Sequence, residues 1–345
     1  MVARIPMSFM LVFVTSFLSA IALTPLATWL ALRTGAVDRP SARRIHTKPT
    51  PRLGGVAISL AFVIGVYFSL AFPRSDPNEP ERLKGLLIGC ALMFLIGLVD
   101  DYYELKSTPQ LIAQFIAALI AIGSGVLVIQ ISNPFSDALP LYFQEWFGVL
   151  FTAFWLVGMI NTINWLDGVD GLAAGVSVIS GSIMFIHTFR LEQYSISLLA
   201  LALIGAALGF LLFNFSPARI FMGSTGTNVL GFALGVLSII GGAKVATALL
   251  VLGVPILDVA WQIISRLRAG KSPFVADRGH LHHHLLDLGL SQRTIAICYY
   301  ILSAIFGILA LILPSGVYKL IALVVIGAGA LLILVKLGHQ TAERR

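Results

Sequence analysis

Long apolar runs, each closed by a few polar residues, repeat along the whole chain. Eleven stretches stand out, at about 9–32, 54–72, 84–99, 111–131, 147–163, 173–189, 195–213, 228–242, 245–264, 294–313 and 319–337. A helix crossing the ~30 Å hydrocarbon layer needs roughly 20 apolar residues, so the shorter runs tilt little or begin in the interface. Only helices and closed barrels satisfy their backbone groups in lipid, and these segments have helix length. The pattern predicts an all-α, polytopic transmembrane helical bundle. The first run follows Arg4, exceeds a signal-peptide core, and has no small-residue cleavage site behind it, so it reads as a retained helix.

Composition strengthens this picture. The chain has 345 residues, of which 58% are hydrophobic and only 11% charged, with mean hydropathy +0.93. Soluble domains carry about 25% charged residues. The net charge of +7 does not point to nucleic acid, because the basic residues are concentrated in the connections. Threading the eleven runs puts 16 of the 23 Lys and Arg on one side and 7 on the other. The positive-inside rule makes the first side cytoplasmic, with the N-terminus outside and the C-terminus inside. Cys90 and Cys298 both lie in apolar runs and lack metal-ligand spacing. One membrane domain, 1–345, is expected, with cytoplasmic loops at about 33–53, 100–110, 161–172, 214–227 and 265–293 forming its active site.

The polar clusters fall on that one side. Asp100 and Asp101 end the third run. Adjacent carboxylates suit Mg²⁺, or base work in which one raises the pKa of the other. An ordinary solvated helix end is the bland alternative, and the helix dipole opposes negative charge there. Asn161, Asn164, Asp167 and Asp170 recur every three residues, so on a helical turn they share a face, with Gly168 and Gly171 beside them. Asn214 to Pro217 leads to Gly223-Ser224-Thr225-Gly226, a turn able to present backbone N–H groups to an anion or simply to cap a helix. His280, His282, His283 and His284 follow Arg278 in the longest loop. With four basic residues nearby and no cysteine, a phosphate-binding surface is more economical than structural zinc. A transporter would place ionisable groups at mid-membrane, whereas here only His187, Lys244 and Asp258 depart from the span ends. Asp258, behind Pro255, is expected to be buried and paired.

Taken together these motifs resemble the polyprenyl-phosphate N-acetylhexosamine-1-phosphate transferase superfamily, from about residue 38 to 291. The resemblance rests on Asp38-x-Pro40 through His46-x-x-Pro49-x-Pro51-Arg-x-Gly54-Gly55, on Asp100-Asp101, on Asn164-x-x-Asp167-Gly-x-Asp170-Gly171, on Asn214 to Pro217 with Phe221-Met-Gly223, and on His280-x-His282-His283. The histidine loop and the eleven-run count are most like the WecA/TagO branch, which uses UDP-N-acetylglucosamine. The MraY branch, which uses UDP-MurNAc-pentapeptide, is the alternative, and a flippase of lipid-linked sugar a third reading. The resemblance implies a Mg²⁺-dependent transfer, with Mn²⁺ as a substitute, of sugar 1-phosphate from a UDP-N-acetylhexosamine to undecaprenyl phosphate, releasing UMP. This would be the first membrane step of cell-envelope glycan synthesis, on the cytoplasmic face of the inner or plasma membrane.

The same resemblance implies the residue roles. Asp100, Asp101, Asp167 and Asp170 would be catalytic. Asp100, Asp101, Asp167 and position 224 would hold the metal. Arg43, His46, Lys48, Asn161, Asn164, Asn214, Arg278, His280, His282 and His283 would bind substrate. Two departures stand out. Ser224 occupies a position where the family has a metal-binding aspartate, which implies an engineered variant, a divergent copy or compensation by Asp167 and Asp170, with an engineered or otherwise impaired site the favoured reading, and Gln110 replaces a common lysine. Homo-oligomerisation is left open.

Overall fold

A computed structural model of the chain describes residues 4–39, 49–74, 76–131, 133, 140–241, 244–268, 270, 280–313, 317–325 and 328–329. Arg43, His46, Lys48 and Arg278, and most of the eleventh run, lie outside the described residues.

The helices are α1 (Arg4–Thr34), α2 (Gly54–Ser69), α3 (Glu79–Tyr103), α4 (Ser107–Gly123), α5 (Glu145–Leu166), α6 (Leu172–Arg190), α7 (Tyr194–Asn214), α8 (Gly223–Ile240), α9 (Lys244–Val251), α10 (Gly253–Arg268), α11 (Leu281–Asp287) and α12 (Gln292–Ile312). Two short antiparallel ribbons join connections, β1 (Val37–Asp38) with β2 (Thr50–Pro51) and β3 (Gln130–Ile131) with β4 (Leu141–Tyr142). Among the described residues seven helices, α1, α3, α5, α6, α7, α8 and α12, are long and apolar enough to span a membrane, and α2 and α4 are shorter apolar helices. The protein is an all-α polytopic membrane bundle.

Two expected spans differ in detail. The run at 111–131 stops being helical at Gly123, and Gln130 and Ile131 enter a ribbon instead. The run at 245–264 breaks at Leu252 into α9 and α10, because Pro255 lacks the N–H that would have bonded back to Val251.

The bundle is built around α8, whose apolar window is 83% buried, against 22% for α1. α8 packs on α3, α5 and α2, while α1 covers α2 and α7, and α12 covers α6 and α9. Lipid is as apolar as leucine, so helices associate here through close packing and polar ties rather than through hydrophobic transfer. Small residues supply the close packing. A Cβ on Gly55 would lie 2.0 Å from the Gly226 nitrogen, and one on Gly97 2.5 Å from the Thr225 Cα, so α2 and α3 meet α8 backbone to backbone. Polar ties add to it. The Ser16 hydroxyl donates to the Ala61 carbonyl at 3.0 Å and to that of Ala202 at 2.6 Å, linking three helices, and Trp155 Nε1 donates to Ser238 Oγ at 2.9 Å. Each such bond in a membrane protein is worth about 0.6 kcal/mol.

Candidate active site

All four polar clusters converge at one end of α8. Two events in the chain make this possible. First, the strand end Pro51 and the start of α2 dock onto the α7–α8 connection. The Phe221 N–H donates to the Pro51 carbonyl at 2.7 Å, Gly54 N–H to Phe221 at 3.0 Å and Gly55 N–H to Met222 at 2.7 Å. This brings Arg52 to the site. Second, α8 starts at Gly223 with φ +68, a left-handed conformation open to glycine at little cost.

The start of α8 explains why two carboxylates can end α3. An α3 dipole alone would disfavour them. Asp101, buried, is aimed instead at the N-terminus of α8. Its Oδ1 accepts from Ser224 N–H at 2.8 Å and from Arg52 Nη2 at 3.3 Å, and its Oδ2 accepts from Thr225 N–H at 3.0 Å and Thr225 Oγ1 at 2.6 Å. It caps α8 from a neighbouring helix, satisfying N–H groups that have no partner within α8 itself. Expected among the metal ligands, Asp101 has both oxygens doubly occupied. Asp100 is held differently. Its Oδ1 accepts from Leu105 N–H at 2.7 Å and Gln110 Nε2 at 2.8 Å, and its Oδ2 accepts from the Ser224 hydroxyl. The two positions that depart from the family pattern, 110 and 224, therefore meet on one carboxylate.

The α5–α6 turn supplies the opposing wall. Asp167 follows the last residue of α5, and Gly171, at φ +77, opens α6. Asn214 fastens the turn, accepting from Gly171 N–H at 3.1 Å and donating to the Ile220 carbonyl at 2.9 Å. The Tyr300 hydroxyl donates to the Gly171 carbonyl at 2.6 Å. Asp170 Oδ2 accepts from Ala218 N–H at 2.9 Å. Asn164 Nδ2 donates to Thr227 Oγ1 at 2.9 Å.

Between these walls lies a cavity of about 330 Å³. Asp167, Asp170, Asn164, Asn214, Ser224 and His283 line it, joined by Asp38, Arg52, Phe221, Thr227 and Gln292. Among the described residues no group hydrogen-bonds the Asp167 carboxylate. Its pKa is raised well above the ordinary carboxylate value by burial, then by the charges of Asp101 and Asp170, with Arg52 opposing. A half-buried, desolvated carboxylate without donors favours a proton or a cation.

Mg²⁺ fits that demand. Among the described residues no three His, Cys, Asp or Glu side chains form a ready-made cage. Mg²⁺ does not need one, since it keeps waters and binds through one or two carboxylates plus substrate phosphates. Asp167, with its hard oxygens facing the cavity, is the group best placed to hold it.

Three expected substrate residues lie elsewhere. Asn161 turns from the cavity to Gln114 Oε1 at 2.7 Å, because it sits on the α5 face toward α4. His280 is buried, with Nδ1 3.0 Å from Asp258 Oδ2, so Asp258 is indeed buried and paired. His282 packs against the backbone of Gly168, where a Cβ would lie 2.3 Å from its Nε2. Burial and the neighbouring His283, His280 and His284 lower its pKa well below the ordinary imidazole value, so it is neutral. Of the three histidines, His283 reaches the cavity. Asp38 and Arg52 stand in the first-loop motif with no role assigned to them by the sequence, and no local signal marks Thr227 or Gln292 as site residues.

A family model described as glycosyl transferase family 4 matches residues 83–242. A probable undecaprenyl-phosphate N-acetylglucosaminyl 1-phosphate transferase of Bacillus subtilis is 36% identical over 88% of this chain and 84% of its own. A decaprenyl-phosphate N-acetylglucosaminephosphotransferase of Mycobacterium tuberculosis is 31% identical over 90% and 85%. A phospho-N-acetylmuramoyl-pentapeptide-transferase of Listeria welshimeri is 30% identical over 78% and 86%. A helical membrane bundle with carboxylates gathered at one end, and relatives of this kind along nearly its whole length, place the chain in the superfamily of polyprenyl-phosphate N-acetylhexosamine-1-phosphate transferases.

Proposed function

We propose that this protein moves N-acetylglucosamine 1-phosphate from UDP-N-acetylglucosamine to undecaprenyl phosphate on the cytoplasmic face of the inner or plasma membrane. The observation that carries the reading is the Asp167 carboxylate, without a hydrogen-bond donor among the described residues, in a cavity shared with Arg52 and Asp170. The excess of Lys and Arg in the connections on one side, 16 against 7, supports a topology in which that cavity lies at the cytoplasmic headgroup level, where a lipid phosphate and a cytosolic nucleotide would meet. The names of the relatives supply the acceptor and the sugar, and the N-acetylglucosaminyl relatives named above match at 36% and 31% identity, against 30% for the pentapeptide enzyme.

In this reading an oxygen of the lipid phosphate attacks the β-phosphorus of the UDP-sugar. The new P–O bond forms as the β-phosphorus parts from the α,β-bridging oxygen, and UMP leaves with that electron pair. Such transfers depend on positioning and charge stabilisation rather than on covalent help. Asp167 would hold Mg²⁺, with Asp170 beside it, and the ion would neutralise diphosphate charge when bound. Arg52 sets a fixed guanidinium at the cavity wall, suited to phosphate oxygens. Asn164, Gln292 and His283 offer hydrogen-bonding groups to the nucleotide or sugar. Asp101 is the brace that holds Arg52 and the start of α8 in register. Asp100 is joined to the cavity through Ser224, so it positions rather than ligates in this chain.

The deciding experiment incubates purified protein with Mg²⁺, undecaprenyl phosphate and either UDP-N-acetylglucosamine or UDP-MurNAc-pentapeptide, and measures UMP. Release with the simple sugar nucleotide supports the proposal. Release with the pentapeptide donor alone overturns it in favour of the MraY-type reaction, and Mg²⁺-independent release removes the metal.

A further inference from the structure

α10 carries three buried polar residues four apart, Asp258, Gln262 and Arg266. A polar stripe inside an apolar bundle is costly unless each group has a partner. Asp258 has a defined set. Its Oδ1 accepts from Leu281 N–H at 2.9 Å, at the first residue of α11, and its Oδ2 faces His280 Nδ1 at 3.0 Å. The carboxylate is an acceptor, so the ring proton sits on Nδ1. The His280 ring lies parallel to that of His282, 5.5 Å between centroids with a 4° tilt, and contacts Trp165 at 5.7 Å. His282 in turn rests on Gly168, between Asp167 and Asp170, with no room for a side chain there. A line of contacts runs from α10 to the turn that bears both cavity carboxylates.

We propose that Asp258 is a positioning residue for the transfer reaction, holding His280 in its Nδ1–H tautomer and, through the His280–His282 stack, fixing the Gly168 turn that presents Asp167 and Asp170. This rests on the proposed function for its activity arm only. Histidines whose second nitrogen is held by a carboxylate have a fixed ring orientation, and losing that carboxylate costs about 10–100-fold in activity or ligand affinity in metal sites. The expected loss falls on kcat, because Asp258 touches neither substrate nor the reacting atoms.

The test uses the full chain with ¹⁵N-labelled histidine in nanodiscs at pH 8.5, where an ordinary imidazole is neutral. The His280 signals, assigned with His280→Gln, are expected to show Nδ1–H in the unmodified protein. In Asp258→Asn one amide oxygen faces two donors, so the fixed Nδ1–H signature is expected to be lost. Turnover, measured in the more active of the unmodified chain and its Ser224→Asp variant, is expected to fall about 10–100-fold, with the donor KM moving less than about threefold. Asp258→Asn combined with His280→Gln is expected to be no slower than His280→Gln alone. An unchanged His280 tautomer, unchanged turnover, or additive losses in the double variant each overturn the proposal. If neither background releases UMP, the proposed function falls, and the tautomer result still decides the Asp258–His280 pairing.

Discussion

Two acids, buried Glu79 at one end of the bundle and half-buried Asp167 at the other, show what separates a structural carboxylate from a chemical one. Glu79 starts α3 and is only 2% exposed. Its Oε1 meets Arg74 Nη1 at 2.5 Å and its Oε2 accepts from Ser195 Oγ at 2.5 Å, while Arg74 also donates to Ser69 Oγ at 2.9 Å. Every strong acceptor there has a donor, and the cluster ties α2, α3 and α7 together. Asp167 is also enclosed, but it lines a cavity, shares it with Asp170, and has no hydrogen-bond donor among the described residues. The same residue chemistry yields a clasp where partners are complete and a binding site where they are withheld.

That contrast can be broken most forcefully at Asp167. Asp167→Asn is expected to cut UMP release by about 10²–10³-fold, with the melting temperature kept or raised. Near-full turnover by this variant would make the turn structural. Glu79→Ala is the converse. It strands Arg74 in a mostly buried position, and is expected to cost about 3–5 kcal/mol of stability in a detergent unfolding assay while the folded fraction keeps its turnover. Activity lost without a loss of stability would show that the far cluster takes part in the reaction.

Ser224→Asp comes next in size. It adds a second carboxylate beside Asp100 and is expected to raise Mg²⁺-supported turnover about tenfold. Because Gln110 donates to the same Asp100, Ser224→Asp with Gln110→Lys is expected to exceed the single variant, the lysine offsetting carboxylate repulsion. A double variant no better than the single one would uncouple the two positions. The smallest effect is in pH. The raised pKa of Asp167 means its protonated form favours the native state, so this contribution is fully present below the ordinary carboxylate pKa and is lost as pH rises through the folded value. In EDTA, the melting temperature of Asp167→Asn is expected to exceed that of the unmodified chain increasingly toward pH 8 and to converge with it near pH 4. Parallel curves would show that Asp167 does not carry that charge cost.

The helices were legible because lipid leaves the backbone no alternative, and the Asn164-x-x-Asp167-Gly-x-Asp170 spacing was legible because a three-residue repeat of acids and amides survives as a turn. What escaped the sequence depends on contacts between distant segments. Nothing local marks Arg52 as a partner of Asp101, 49 residues away, or Asp258 as the partner of His280. Asn161 shares the spacing of Asn164 and yet points to Gln114, since α5 was still helical there and three residues turn the side chain about 300° around the axis. Asp101 looked like a free ligand because the sequence does not say that α8 begins in front of it.

The packing at Gly168 and Gly223 has a consequence for inhibition. Both line the cavity, one beneath His282, the other with no space between the Arg52 carbonyl and the Asp101 carboxylate, where a Cβ would lie 2.3 and 2.6 Å away. A compound that leans on these two backbone surfaces meets walls the gene cannot thicken by a point mutation without displacing a histidine or uncapping α8. Resistance by added bulk is closed at those points and has to arise at positions with side chains to vary, such as Gln292, Thr227 and Asp38.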